Sequence, residues 1–488
     1  MGVVKKQGLQ NTVISYAGGA LGFLNKVFLL PKVFLLEQVG LVNVMMSFSL
    51  LYAQFSGFGI YSVVIRFYPQ YKKEHRAAFL KLVLKWLFVG FFVLTALFFF
   101  FQNWIREGLF EKSALLQNYF FWILPLAFFI LLLEVLDSYS KALLKTVAVS
   151  LIKDVVFRLL FFVLIILFYL DLLNFDLFVY LFVGAYGLLV VLMIGYLIKI
   201  QAFKLDNKGL KIYSLSPILA FGLYVFLADS SSLLVSSIDS LMLADQKGLS
   251  DTGIYTTMGF LVSAFLIPYR SMAKIATPIV PQLWKENRRE EIQALYLRFS
   301  NSGFVLGAVF FLLIFLNFDL LFLFLPPEFE TGLFVFVGIG LARLIEVMYG
   351  INGVILVNSS KYKTDLLFAL LLILLTVVTN YLCIPRWGMK GAVVASFISI
   401  TAINVTRGIY LKSVFGFYIF NKNLALQLFF FAACFLAAQV FDVKNIYLQL
   451  LINNSMLVLL FLIPIYHFNL APEIKNSVVK TIKNKFKK

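Results

Sequence analysis

Charge is sparse in this chain: of 488 residues, only 14% are Asp, Glu, Lys or Arg. A water-soluble domain carries about 25%, so most of this surface is not built to face water. Cysteine is nearly absent, and Cys383 and Cys434 both lie inside apolar runs, which excludes a disulfide framework and a thiolate metal cluster. His75 and His467 are far apart and supply no metal-ligand spacing. No GxxxxGK[ST] stretch occurs, so there is no P-loop for ATP. What abounds is apolar: 61% of residues are hydrophobic and the mean hydropathy is +0.93. One water-exposed core cannot hide that excess, and the solvent for most of the chain must be a bilayer. A soluble enzyme, a DNA-binding protein and a secreted disulfide scaffold are all excluded.

A helix needs about 20 apolar residues to cross the hydrocarbon layer. Fourteen such runs are expected, near 11–30, 39–60, 79–101, 117–137, 148–170, 177–199, 215–238, 252–273, 300–324, 332–356, 365–384, 390–411, 424–441 and 447–467. The first, after Lys5 and Lys6, reads as a span rather than a secretory signal, since its removal would break the even topology. The segment 282–298, QLWKENRREEIQALYLR, reads as an amphipathic surface helix, and the tail KTIKNKFKK as a basic anchor or a solvated end.

The net charge of +18 would suggest nucleic acid in a soluble protein, but its placement points elsewhere. With the N-terminus inside, the outer loops hold only Lys32, Arg106, Lys112, Lys247, Arg386, Lys390 and Lys444, and most other Lys and Arg fall in inner segments. This is the positive-inside pattern. It predicts both termini in the cytoplasm, with attraction to anionic lipid heads and no nucleic-acid partner.

Spans 1–6 and 7–12 read as two halves. EQVGLVNVMMSF, with Gly40, matches SDTGIYTTMGFL, with Gly253. Six spans per half is even, so both halves keep one orientation and a pseudo-twofold axis runs along the membrane normal. The expected fold is all-α and polytopic, with an N-lobe at 1–205, a C-lobe at 206–415, and spans 13–14 with a basic tail at 416–488. FKLDNKGLKIYS, near 203–214, is the expected hinge between lobes.

Polar residues recur at helical spacing inside four spans. Span 1 carries Ser15, Gly19, Gly22 and Lys26 on one face; span 2 carries Asn43, Ser47 and Gln54. Span 7 carries Asp229, Ser232, Ser236 and Ser240, and span 8 carries Thr252, Thr256, Gly259, Ser263 and Arg270. Small polar faces serve close helix packing, as the GxxxG of Gly18 and Gly22 would. They also line water-filled cavities, and matched stripes in two halves favour the cavity.

Ionisable groups at membrane depth are functional candidates by default. Lys26 lies toward the outer end of span 1, within snorkelling reach of the interface. Arg66 and Arg270 lie near the inner mouth. Arg343 and Glu346 are three apart in span 10 and can pair locally. Asp229 has no partner on its own helix, which suits a protonatable or cation-coupling site. Glu134, Asp137, Lys153, Asp154 and Arg158 read as interhelical ion pairs between spans 4 and 5.

PKVFLLEQVGLVNV after span 1, GFGIYSVVIRFYPQY after span 2, SSIDSLMLADQKGLSDTGIYTTM between spans 7 and 8, and IPRWGMKGAVVASFIS into span 12 form an ordered set. Over nearly the whole chain, this set resembles the polysaccharide flippases. These are the O-antigen and exopolysaccharide members of the multidrug/oligosaccharidyl-lipid/polysaccharide flippase superfamily. The resemblance implies two six-helix lobes around a V-shaped cavity with alternating access. It also implies transfer of undecaprenyl-pyrophosphate-linked oligosaccharide between leaflets of the bacterial inner membrane, for lipopolysaccharide-type surface glycans and alongside polymerase machinery. In related lipid II flippases, cations in spans 1, 2 and 8 face the cavity, and Lys26, Arg66 and Arg270 fall in those spans here. Lysine lacks the bidentate fork that Arg66 and Arg270 keep.

The expected cavity set is therefore Lys26, Arg66, Arg270, Asn43, Ser47, Gln54, Ser232, Ser236, Thr256, Ser263 and Arg343, with Asp229 and Glu346 as proton- or sodium-coupling candidates. No cofactor and no covalent chemistry are expected. The rival reading is a multidrug and toxin antiporter of the same superfamily, whose cationic cargo would use Asp229 and Glu346. A glycan polymerase or ligase would need a long outer loop with catalytic residues, and the longest outer connection, near 102–116, is short. A structural scaffold would have no use for polar stripes.

Overall fold

The structure is a computed structural model that describes residues 2–71, 73–103, 113–200, 215–264, 266–440 and 445–475. Every regular element among the described residues is helical. Among the described residues, ten helices are long and apolar enough to cross a bilayer. They carry large apolar side chains outward, Phe92 at 64% and Phe100 at 80% exposure. Faces of that kind would drive aggregation in water and are at home against lipid. This is a multi-pass membrane protein.

Four of the expected spans fall outside those ten, and the described residues of each are helical. The fifth runs through Val147–Ser150, Leu151–Val156 and Phe157–Tyr169 and carries Lys153, Asp154 and Arg158. The seventh lies in Leu215–Lys247, the eighth divides into Leu249–Ser263 and Leu266–Lys285, and the thirteenth is Lys422–Ala437. The expected hinge at 203–214, most of the outer loop at 102–116 and the basic tail lie outside the described residues.

The chain forms two compact units, Met1–Thr257 and Met258–Lys488. In the first, α1 (Gly2–Phe23) passes into a π-helical turn at Leu24–Leu29. Then come α2 (Leu36–Gly57), α3 (Ile60–Phe67), α4 (Lys73–Phe100), α5 (Ile123–Ala142), α6 (Phe157–Tyr169), α7 (Phe175–Lys199) and α8 (Leu215–Lys247). The start of α9 (Leu249–Ser263) completes the unit. The Leu35 N–H at the head of α2 donates to Gln38 Oε1 at 3.1 Å, which satisfies one orphan donor of the helix end. The helix ends where Phe58 and Gly59 turn left-handed, with φ of 45° and 79°. Helix α7 starts at Asn174, whose side chain accepts from the Leu177 N–H at 2.8 Å.

Between lipid-bathed helices there is no hydrophobic driving force, so dispersion and close fit must hold the bundle. Phenylalanine supplies them. Phe34 stacks on Phe168 at 4.2 Å between centroids and tilts against Phe178 at 4.6 Å. Phe161, Phe182 and Tyr186 extend the same cluster between α6 and α7.

The second unit runs through the end of α9, α10 (Leu266–Lys285), α11 (Arg289–Leu316), α12 (Leu333–Met348), α13 (Asn352–Val357), α14 (Lys363–Trp387) and α15 (Met389–Phe415). It continues with α16 (Lys422–Ala437) and α17 (Ile446–Met456), which runs on through a π-helical turn at Leu457–Leu462 into Ile463–His467. The surface helix expected over 282–298 does not form. Asn287 takes φ +56° and separates α10 from α11, so residues from Arg289 onward open a long apolar helix instead. The stretch has a counterpart in the first unit: PQYKKEHR at 69–76 matches PQLWKENR at 281–288, and each spans the boundary between one helix and the next.

Candidate functional site

The repeat motifs meet each other. A Cβ on Gly40 would lie 2.0 Å from the Leu249 carbonyl oxygen, and one on Gly253 would lie 2.5 Å from the Leu36 carbonyl oxygen. The contact is reciprocal: each glycine faces the backbone four residues ahead of the other. Only hydrogen side chains permit helices to touch there. One turn on, Asn43 Nδ2 donates to Thr256 Oγ1 at 3.0 Å, again between matching positions 213 residues apart.

From that crossing, α2 and α8 run antiparallel. Ser240 Oγ donates to Ser47 Oγ at 3.4 Å. Phe58 stacks on Phe226 at 4.5 Å, and the Gly59 position leaves a Cβ only 2.1 Å from the Gly222 carbonyl oxygen. At the far end, the Arg66 guanidinium lies over the Phe221 ring at 4.2 Å. The result is a seam of small and polar residues, closed from Gly40 to Gly59.

The expected cavity residues distribute as follows. Asn43 and Gln54 are buried in α2, the former bonded within the seam, and the Gln54 amide nitrogen finds no acceptor. Thr256 and Ser263 bond back to carbonyls of their own helix, at Thr252 and Phe260. Arg66 and Arg270 are exposed, and neither forms an ion pair with a described carboxylate. Lys26 is half-buried in the π-helical turn that ends span 1. The side chains of Asp229, Ser232 and Ser236 lie outside what the structure describes. In the second unit, Arg343 holds Glu346 at 2.6 Å as a local ion pair.

The stripe on span 1 packs against span 5. Ser15 Oγ reaches Asp154 Oδ2 at 3.5 Å, and the GxxxG face receives Arg158: a Cβ on Gly22 would lie 2.7 Å from its Nε. Asn25 Nδ2 donates to the Arg158 carbonyl at 2.7 Å. Both spans carry a π-helical turn here, at Leu24–Leu29 and Leu151–Val156, a form frequent at functional positions. Asp154 and Arg158 do not pair through their side chains. Arg158 Nη1 donates instead to the Asp154 backbone carbonyl at 2.9 Å.

Lys153 does form the expected interhelical pairs, with Glu134 at 2.8 Å and Asp137 at 3.2 Å, while Lys141 holds Asp137 at 2.9 Å. Breaking a fully buried pair costs several kcal/mol, and partial exposure here reduces that to about 2 kcal/mol. Lys153→Met is therefore expected to lower the thermal unfolding midpoint in detergent, and Lys153→Arg to restore most of it. An unchanged midpoint in Lys153→Met would remove the cluster from the stability account.

A second polar cluster was not anticipated. Arg407 pairs with Asp365 at 2.8 Å, and Asn352 Nδ2 donates to Asn404 Oδ1 at 3.1 Å, joining α13, α14 and α15. Its signal lay at helix ends: Asp365 opens α14 and Arg407 lies near the end of the antiparallel α15. Outside the spans, hydrogen bonds from Arg288 and then Gln282 hold the Glu286 carboxyl below its usual range. Among the described residues, no group of three or more His, Cys, Asp or Glu is placed to hold a metal ion.

This arrangement of helices matches known structures over most of its length. Lipid II flippase MurJ, in an inward closed conformation, superposes with a TM-score of 0.73, covering 96% of this chain and 100% of that one at 15% identity. This is the fold of the MOP-superfamily transporters. An inward-facing multidrug resistance MATE transporter of that superfamily gives 0.61, over 83% of this chain and 94% of its own, at 14% identity. A MOP-superfamily transporter from Pyrococcus furiosus, described as having a binding pocket of reverse polarity, gives 0.57 over 85% and 95%, at 16% identity. No protein-family model and no curated protein sequence matches the chain.

Proposed function

We propose that the chain is a flippase for undecaprenyl-pyrophosphate-linked oligosaccharide. It would carry this lipid from the cytoplasmic to the periplasmic leaflet of the bacterial inner membrane, for surface polysaccharide assembly such as that of O-antigen. A sugar pyrophosphate cannot cross hydrocarbon unaided, because its charges and hydroxyls would lose water without replacement. A polar groove between lobes at 1–205 and 206–415 would replace that water, while the lipid tail would stay in the bilayer. Spans 13 and 14 then bring the total to fourteen.

The observation that carries the reading is that Arg66 and Arg270 are exposed cations unclaimed by any described carboxylate, in a fold that spans the full length of a lipid flippase. Guanidinium forks suit phosphate oxygens. Lys26 would add a third positive charge, and Arg343 a fourth if its pair opens. The drug-antiporter reading asks for free carboxylates, and Glu346 is already held by Arg343. Asp229 is then the better candidate for proton or sodium coupling.

With both termini cytoplasmic, the Gly40–Gly253 crossing lies at the outer face and the seam closes the outward path. Asn43, Ser47, Gln54, Ser232, Ser236, Thr256 and Ser263 would line the route once the seam opens. Alternating access supplies all that is needed, with no bond made or broken in the cargo.

Equilibrium binding to the detergent-purified protein separates the two readings. Undecaprenyl-pyrophosphate oligosaccharide is expected to bind, competed by free undecaprenyl pyrophosphate and not by an organic cation such as tetraphenylphosphonium. Saturable binding of the cation alone would assign the protein to drug export.

A further inference from the structure

Beside the end of the seam that Phe58 marks, the end of α2 and the middle of α4 border a groove of about 480 Å³. A Cβ on Gly90 would lie 2.1 Å from the Ser56 carbonyl oxygen, so the two helices touch there and the groove opens beside the contact. Its walls are apolar along Val89 and Val93, both largely exposed. Its polar lining consists of donors: Lys85, the Trp86 indole and Ser56, whose hydroxyl is buried without a partner. Among the described residues, no acidic one lines it.

Lys85 is exposed, and no described carboxylate pairs with it. It follows Arg76 and Lys81 along α4, so its ammonium can reach back toward that basic end by snorkelling. Trp86 beside it is the residue type that anchors at lipid headgroup level. An apolar trough with a lone cation at its lip fits a molecule with a chain and a negative head. A zwitterionic head would leave its ammonium without an acid to meet.

We propose that this groove is a binding site for one anionic glycerophospholipid, with an acyl chain along Val89 and Val93 and the phosphate against Lys85. The proposal does not depend on what the protein carries.

Native mass spectrometry of the delipidated full chain tests it, with phosphatidylglycerol and phosphatidylcholine of identical acyl chains added back. The natural protein is expected to retain phosphatidylglycerol in preference, and Lys85→Gln to reduce that retention by about fivefold, the effect of one lysine near an anionic head. Lys412→Gln, on an exposed lysine elsewhere, is expected to leave retention unchanged. Val93→Trp fills the trough and is expected to displace the lipid. If that variant does not fold, Lys85→Gln, a surface change, decides the matter alone. Equal retention of both lipids, or retention indifferent to Lys85→Gln, would overturn the proposal. So would a bound species with the mass of a polyprenyl phosphate in place of the phospholipid.

Discussion

Gly40→Val is expected to abolish transport while leaving substrate binding measurable. At 2.0 Å from the Leu249 carbonyl oxygen, the new Cβ meets backbone, which cannot swing aside as a side chain can. The two helices must part, and overpacking of this kind costs about 1–3 kcal/mol or more. Because the seam is closed in this structure, the whole penalty falls on the closed state. A shift of about 3 kcal/mol between two conformers changes their ratio more than a hundredfold. Gly253→Val should act in the same direction, since it faces the Leu36 carbonyl reciprocally. Gly259→Val, on the same helix with nothing within 4 Å of its Cβ position, is the control and should transport normally. Transport rates for the three variants, alongside cysteine-labelling access at the crossing, decide the point. Equal behaviour of Gly40→Val and Gly259→Val would mean that the crossing does not open.

The double variant Arg66→Ala/Arg270→Ala is expected to reduce transport to background, and each single variant by roughly tenfold to a hundredfold. The basis is the loss of one charge-assisted contact to pyrophosphate, about 1.5–3 kcal/mol each. Folding should be little affected, because neither arginine holds a described carboxylate, both are exposed, and the contact of Arg66 with the Phe221 ring contributes about 0.5–1 kcal/mol. Lysine at either position should recover part of the activity, since charge returns without the fork. Full transport by the double variant would show that the cargo does not meet these cations.

The spans were legible in the sequence because hydropathy is a one-dimensional signal that needs no partner. Interruptions were less so. The stretch 282–298 has helical amphipathicity on both sides of Asn287, and periodicity alone cannot see a left-handed residue between them. The match of PQLWKENR to PQYKKEHR, which spans the boundary between two helices, was the available signal. The repeat glycines were legible as repeats, but not as mutual partners. A small polar face says how closely something can approach, and nothing about what approaches.

The same limit governs the site. Asn43 and Ser47 read as cavity lining or as packing, and the structure places them in a closed seam. The ion pairs of Lys153 were readable because spans 4 and 5 are neighbours in the chain. Arg407 and Asp365 were missed because charges at span ends fit the positive-inside pattern without any partner.

We propose above that this protein moves a lipid-linked oligosaccharide across a bilayer. Proteoliposomes loaded with fluorescent undecaprenyl-pyrophosphate oligosaccharide, followed with a membrane-impermeant quencher, test it most directly. The expected result is protein-dependent exposure of the inner-leaflet pool, lost in Arg66→Ala/Arg270→Ala and retained in Gly259→Val. A quenched fraction identical with and without protein, together with ion-driven uptake of an organic cation that Asp229→Asn abolishes, would contradict it.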